Sequence, residues 1–403
     1  MRGTSRIIAV SASLLICAVM SANVVGKPGY SVGGYAGLIT NTDNLRSLFL
    51  ERNGHGGANA QVLFNTAPGS KMDAFNEILN YPTFGLGINY DVYSTMGFIN
   101  NTRLGNFVDI YGLMEFAVYK SRRFSAGFML NLGVGFTDTV YDRFSNPYMY
   151  NIGRPFTVYI GFGPQLKYRP VDNIELALNA YWFHHSNGNL WMPNFGLNDL
   201  AVGLGVRYYP EAPYTTQVRK LKVPHVFKKG FKYDIYATTG FHSCKTEFKA
   251  YNQMVEDPSD KRVDFESHPR LGLGFDVQYQ YSLMCSSGLV LDGVYNWGVD
   301  ELKRCDEIIY GKEEAARSKG YSPFNAALGL IHEFHYGNVS VFCTVSAFLF
   351  RKVGIYEDQS KTFQRAGMRF YLSKLKNTFL GCCIRATNFN NADYFEFQLG
   401  LKI

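Results

Sequence analysis

The sequence predicts an all-β protein, an antiparallel transmembrane β-barrel of about sixteen strands. Three observations predict it. Segments of about ten residues alternate apolar with polar or small side chains. Tight and long connections between those segments also alternate. Beyond the first residues, nothing approaches the ~18 consecutive apolar residues that a membrane helix needs. The final segment shows the pattern. Phe395, Phe397, Leu399, Leu401 and Ile403 alternate with Tyr394, Glu396, Gln398, Gly400 and Lys402. Successive side chains on a strand point to opposite faces, so one face is wholly apolar. Leu271, Leu273, Phe275, Val277 and Tyr279 do the same against Gly272, Gly274, Asp276, Gln278 and Gln280. A soluble sandwich also alternates, but it carries fewer aromatics than the 28 tyrosines and 32 phenylalanines here.

In chain order, residues 1–22 read as an export signal. Arg2 and Arg6 precede the apolar stretch 7–19, and Ser21-Ala22 supplies small residues for cleavage. Eight strands are then predicted near 30–40, 59–67, 83–94, 107–119, 124–136, 156–169, 174–186 and 199–209. Eight more are predicted near 231–243, 268–282, 287–297, 324–335, 338–351, 363–373, 377–388 and 393–403. The connections at 120–123, 170–173, 284–286 and 336–337 are tight, and those at 137–155, 187–198, 244–267 and 298–322 are long. Short periplasmic turns and long outer loops are expected of outer-membrane barrels. The connection 68–82 is too long for that rule. Residues 163–187 align without gaps on 367–391, which suggests two degenerate eight-strand repeats, 23–210 and 231–403. One sixteen-strand barrel is favoured over two tandem barrels, because a C-terminal membrane strand usually serves a single closure. Between the repeats, 211–230 reads as a basic linker with Arg219, Lys220, Lys222, Lys228 and Lys229.

Net charge is +7 with 18% charged residues, which gives no footprint of a nucleic-acid binder. Chemistry concentrates in one place. In the seventh segment Ile174, Leu176, Leu178, Ala180 and Trp182 form the lipid face, and the same parity carries on to His184 and Ser186. An imidazole and a hydroxyl two residues apart on one strand face are side by side. His185 points the other way. An odd-numbered strand starting from the periplasm runs outward, so the pair sits at the outer leaflet. A serine needs a base to take its proton, and the base needs a third group to hold its tautomer. Asn198 begins the neighbouring strand, where antiparallel pairing can set it beside His184. Asn187 and the amide of Gly188 can stabilise an oxyanion. The bland reading is a polar strand end at the aromatic interfacial belt.

At His184, Ser186, Asn187 and Asn198 the chain resembles the outer-membrane lipid A 3-O-deacylases, also called acyloxyacyl hydrolases. That family is an eight-stranded barrel with a His-x-Ser-Asn motif on its penultimate strand, and it removes an ester-linked 3-hydroxyacyl chain from lipid A. The resemblance covers roughly residues 30–210 and implies Ser186 as nucleophile, His184 as base and Asn187 as an oxyanion contributor. It departs at Asn198, where the family's pattern has glutamate. Asparagine can orient a histidine but cannot offset its positive charge, and Asp199 is the neighbouring acid that could help. The same residues with Gly188 also look like outer-membrane phospholipase A, a larger barrel with an Asn-His-Ser triad and a calcium requirement. A non-catalytic pore or structural barrel is the rival of another class.

The deacylase reading expects lipopolysaccharide of the bacterial outer membrane as partner, no cofactor and no metal; calcium belongs to the phospholipase alternative. In the second repeat Asn388 and Asn390 stand where His184 and Ser186 stand in the first, so that half is expected to be catalytically silent. The run His332-Glu333-Phe334-His335 lacks the helical spacing of a zinc motif. Six cysteines follow residue 22, all in the second half. Cys244 and Cys305, in or beside outer loops, are the first candidates for a disulfide, with the pairing left open.

Overall fold

The computed structural model describes residues 27–40, 54–69, 72–93, 102–213, 227–265, 267–357, 359–372, 375, 377–389 and 391–403. The signal 1–22 and the linker residues Arg219, Lys220 and Lys222 lie outside these; Lys228 and Lys229 are exposed.

The first eight strands are β1 Gly29–Ile39, β2 Gly54–Asn65, β3 Thr83–Val92, β4 Phe107–Lys120, β5 Phe124–Thr137, β6 Phe156–Val171, β7 Ile174–Ser186 and β8 Leu197–Tyr208. The next eight are β9 Gly230–His242, β10 His268–Gln280, β11 Cys285–Asn296, β12 Phe324–Tyr336, β13 Val339–Phe350, β14 Thr362–Tyr371, β15 Thr378–Thr387 and β16 Asn391–Lys402. Within each set of eight, consecutive strands pair antiparallel. The decisive pairings are non-local: β1 joins β8 (Gly33 opposite Gly205) and β9 joins β16 (Ala237 opposite Leu399). The chain therefore forms two closed eight-stranded barrels. This corrects the expected single sixteen-strand closure. Alternation within strands says nothing about which distant edge closes on which, and the final strand here closes only the second barrel. No helix among the described residues is long and apolar enough to cross a membrane.

The eight connections predicted to be tight or long are so, but β15 and β16 are joined by 388–390 alone at the end where the rhythm calls for a long loop. The exception at 68–82 holds a short helix, Asp73–Ile78, at the tight-turn end of the first barrel. Its Asn76 is fully buried, and Asn80 donates to the Ala117 carbonyl at 3.2 Å. Among the long connections of the second barrel, that after β11 carries a helix, Val299–Tyr310. The six described cysteines are free thiols, so Cys244 and Cys305 are not bridged.

Both barrels are apolar outside and filled inside, as eight strands leave room only for side chains. On the outer wall of the first, Val32, Ile88, Ile110, Leu130, Val202 and Leu204 are exposed. Its lumen is layered. At the tight-turn end Arg207 makes a fork on Glu115 (2.6 and 2.8 Å), Lys167 joins the same carboxylate at 3.0 Å, and Arg169 meets Glu175 at 2.7 Å. Above lies an aromatic plug of Tyr35, Tyr111, Tyr159, Tyr181 and Phe183, closed in by Leu63, Leu113 and Met129. At the long-loop end Ile39, Tyr93, Leu104, Phe107, Met149, Ile152 and Leu197 form a second small core. The second lumen is ionic: Arg369 reaches Asp234 and Asp276 (3.2 and 2.8 Å), Arg365 reaches Asp292 and Glu396 (2.6 and 3.1 Å), and Lys232 meets Glu333 at 2.7 Å.

Breaking a buried pair strands the remaining charge, whereas removing both partners does not. Glu115→Ala is expected to cost roughly 3–5 kcal/mol. The triple change Glu115→Gln, Lys167→Met and Arg207→Met, which removes the carboxylate with both cations on it, should recover most of that loss. Urea unfolding of the folded barrel, read by gel mobility with and without heating, checks both.

Candidate functional site

Strand β7 obeys the predicted parity. Glu175, Ala177, Asn179, Tyr181, Phe183 and His185 are buried in the lumen, while Leu176, Leu178 and Ala180 are exposed on the outer wall. His184 shares the outer parity and is half-buried; Ser186, one step further on the same face, is buried opposite Val158 of β6.

The β7–β8 register sets His184 opposite Asn198, and His184 Nδ1 lies 2.6 Å from Asn198 Oδ1. An amide oxygen can only accept, so Nδ1 carries the proton and Nε2 keeps its lone pair. The imidazole also stacks on Trp182, two residues below, with centroids 5.7 Å apart and planes within 5°. Two neighbours thus hold the ring, one at its edge and one at its face.

A third contact escaped the sequence reading. Gly196, just before β8, has φ +72°, and a Cβ there would lie 2.9 Å from His184 Cε1 and 3.7 Å from Nε2. Glycine therefore keeps the basic edge of the ring open as well as allowing the turn. Gly196 is held in turn by Asn151 from the long β5–β6 loop. The Asn151 side-chain amide donates to the Gly196 carbonyl at 2.5 Å, and the Gly196 amide donates to the Asn151 carbonyl at 3.1 Å. Gly188, after the motif, also has positive φ (+62°).

Asp199 does not join this group. It stands opposite Phe183, faces the lumen at 0% exposure and accepts from Tyr93 Oη at 2.9 Å. Asn198 and Asp199 are consecutive strand residues, so their side chains must part to opposite faces.

Beside Trp182 the outer wall is hollowed. Small outward residues, Ala36, Pro164 and Ala180, sit between Leu38, Phe162, Trp182, Leu200 and Val202, and together they line one apolar groove across β1, β8, β7 and β6.

The second barrel presents Ser–His contacts that its sequence did not suggest. His332 Nδ1 lies 2.8 Å from Ser287 Oγ on the outer wall. His335 Nε2 lies 3.0 Å from Ser286 Oγ, and its Nδ1 is 3.9 Å from Glu333. Both pairs sit at the tight-turn end. In the repeat position of His184, Asn388 lies beyond the end of β15, in a turn with φ +51°. Asn390 lies outside the described residues.

Comparison with known proteins adds a family. Residues 231–403 match the acyloxyacyl hydrolase C-terminal domain. That is less than half of the chain. The family resemblance seen in the motif is thus borne out, although the matched residues are those of the second barrel and the motif lies on the first. The match supports an acyloxyacyl hydrolase type of function in broad terms, a hydrolase acting on acyl ester bonds. No curated protein matches the chain. Among solved structures, a mutant of Rh. blastica porin is similar at 10% identity, covering 93% of this chain and 100% of its own, with TM-score 0.18. OccAB1 of Acinetobacter baumannii is similar at 11% identity, covering 95% and 98%, with TM-score 0.24. Likenesses this slight carry no argument about the site.

Gly196→Ala is expected to push the His184 imidazole, struck at Cε1, out of its Asn198 contact without unfolding the barrel. A displacement of about 1 Å can cost about 10²-fold in rate, so ester hydrolysis should fall by that order while heat-modifiable gel mobility is kept.

Proposed function

We propose that this protein is an outer-membrane serine esterase that hydrolyses an ester-linked acyl chain of lipid A. The observation that carries the reading is the His184 Nδ1–Asn198 Oδ1 contact on the outer wall of the first barrel, at its long-loop end. It leaves Nε2 as the base, on the face that Ser186 shares. Ser186 Oγ attacks the ester carbonyl and passes its proton to His184 Nε2. The tetrahedral oxyanion is met by the amides of Asn187 and Gly188. Collapse breaks the ester C–O bond, and the departing sugar oxygen takes the proton from His184 and leaves as a hydroxyl. Water then repeats the sequence on the acyl-serine and frees the fatty acid.

The apolar groove beside Trp182 gives the acyl chain a seat within the membrane's hydrocarbon edge. The exposed aliphatic belt and the long loops support an outer-membrane setting with the site in the outer leaflet. Closure at eight strands favours the deacylase over the larger phospholipase barrel, and the aromatic plug leaves the first lumen no open channel for a pore. The second barrel takes no part in the reaction. His332 has no hydrogen-bonding group on its other ring nitrogen among the described residues, and the Ser286–His335 pair faces a packed lumen that a lipid ester cannot enter.

Cells expressing the wild-type protein should yield lipid A lacking one 3-hydroxyacyl chain by mass spectrometry, and Ser186→Ala should restore that chain. Asn198→Ala should slow the reaction by about 10²-fold through loss of the positioned base. Fatty acid released from phospholipid, and stopped by chelating calcium, would instead identify a phospholipase.

A further inference from the structure

Behind the outer pair, the same two strands turn a different set of groups into the lumen. His185 follows His184 and Asp199 follows Asn198, both at 0% exposure. Asp91 of β3 and Asp109 of β4 join them, also at 0%, with His55 of β2 at 7%. Five ionisable groups that are far apart in sequence thus share one level of a narrow barrel.

Their charge is not balanced. Elsewhere in this lumen, Glu115 and Glu175 face Arg207, Lys167 and Arg169. In the second lumen Asp234, Asp276, Asp292, Glu333, Glu396 and Asp393 each face an arginine or lysine. Among the described residues, no arginine or lysine forms an ion pair with Asp91, Asp109 or Asp199. Each of these carboxylates has one engaged oxygen. Tyr35 Oη donates to Asp91 Oδ1, His185 Nε2 lies 3.0 Å from Asp109 Oδ1, and Tyr93 Oη donates to Asp199 Oδ2. Asp91 Oδ2 and Asp109 Oδ2 are buried with no hydrogen-bond partner, and so is His185 Nδ1, while Asp199 Oδ1 has only His55 Nε2, at 3.4 Å. Buried carboxylates in this state call for a proton or a cation between them.

We propose that Asp91, Asp109 and His185 bind a divalent first-row transition metal ion. One ligand atom from each lies within 4.8 Å of the other two, near the ~4.2 Å spanned by two opposed metal bonds of about 2.1 Å. Two carboxylates with one imidazole suit Zn²⁺ or Mn²⁺, whereas Ca²⁺ takes oxygen donors alone. Asp199 and His55, 3.4 Å apart, stand beside the triplet. His55 is steadied by stacking on Tyr93 at 4.7 Å. The ion would tie β3 and β4 to the end of β7 that carries His184 on its other face.

The test uses the full chain folded in detergent, stripped with chelator and then offered Zn²⁺ or Mn²⁺ as chloride salts. Elemental analysis after desalting should find one metal equivalent per chain, and reloading should raise the midpoint of thermal unfolding. Asp109→Asn and His185→Gln should each lose the equivalent and the metal-dependent shift. Cys244→Ser should keep both; it removes the thiol shared by the two ligand clusters of the second barrel (His242, Cys244 and Glu357; Cys244, Glu247 and His268). Heat-modifiable gel mobility shows whether each variant is folded. If the wild type takes up neither ion and its midpoint ignores chelator, a shared proton fills the gap and the proposal fails. Uptake of Ca²⁺ alone, or uptake lost in Cys244→Ser and kept in Asp109→Asn, overturns it equally.

Discussion

The structure depends on the hydrogen-bonded seam between β1 and β8. A sheet edge facing hydrocarbon would leave a row of backbone N–H and C=O groups without partners, each costing several kcal/mol, so the edge must close on something. Closing on the eighth strand makes a cylinder just wide enough for side chains. Everything in the first barrel follows from that width. The interior must be filled, so it carries tilted aromatic rings and, at the tight-turn end, paired charges. Alternation puts every second residue of β7 on the outer wall, His184 among them.

The width also explains why the polar contacts are tight. In so narrow a lumen Arg207 reaches Glu115 across the barrel with two bonds, and Arg369 does the like in the second barrel with Asp234 and Asp276. These pairs fix the register from within. On the outside the same register, one residue out of phase, sets His184 against Asn198. A slip of one residue would exchange the two faces and send the imidazole inward. Packing inside and the His184–Asn198 contact outside are therefore two consequences of one alignment.

Much of the candidate site was legible, and the reason is local. The period of two on β7 tells which of His184, His185 and Ser186 share a face, and the long loop to β8 returns Asn198 to the same height. The clamp on the imidazole was not legible. Gly196 acts through a positive φ and a close approach, and Asn151 acts through a loop that meets it only in the folded chain. The lumen cluster was equally hidden, since Asp91, Asp109 and His185 lie on three strands with no spacing motif to join them.

What the sequence by itself determined is whatever repeats along a strand: the sixteen segments, their faces, the order of tight and long connections, and the outward pair at the end of β7. Only the tertiary structure decided where the sheet closes, and so that there are two barrels and not one. Closure is a choice between distant edges whose backbone groups are chemically alike, and it is made by which pairing satisfies them while the enclosed side chains fill the space.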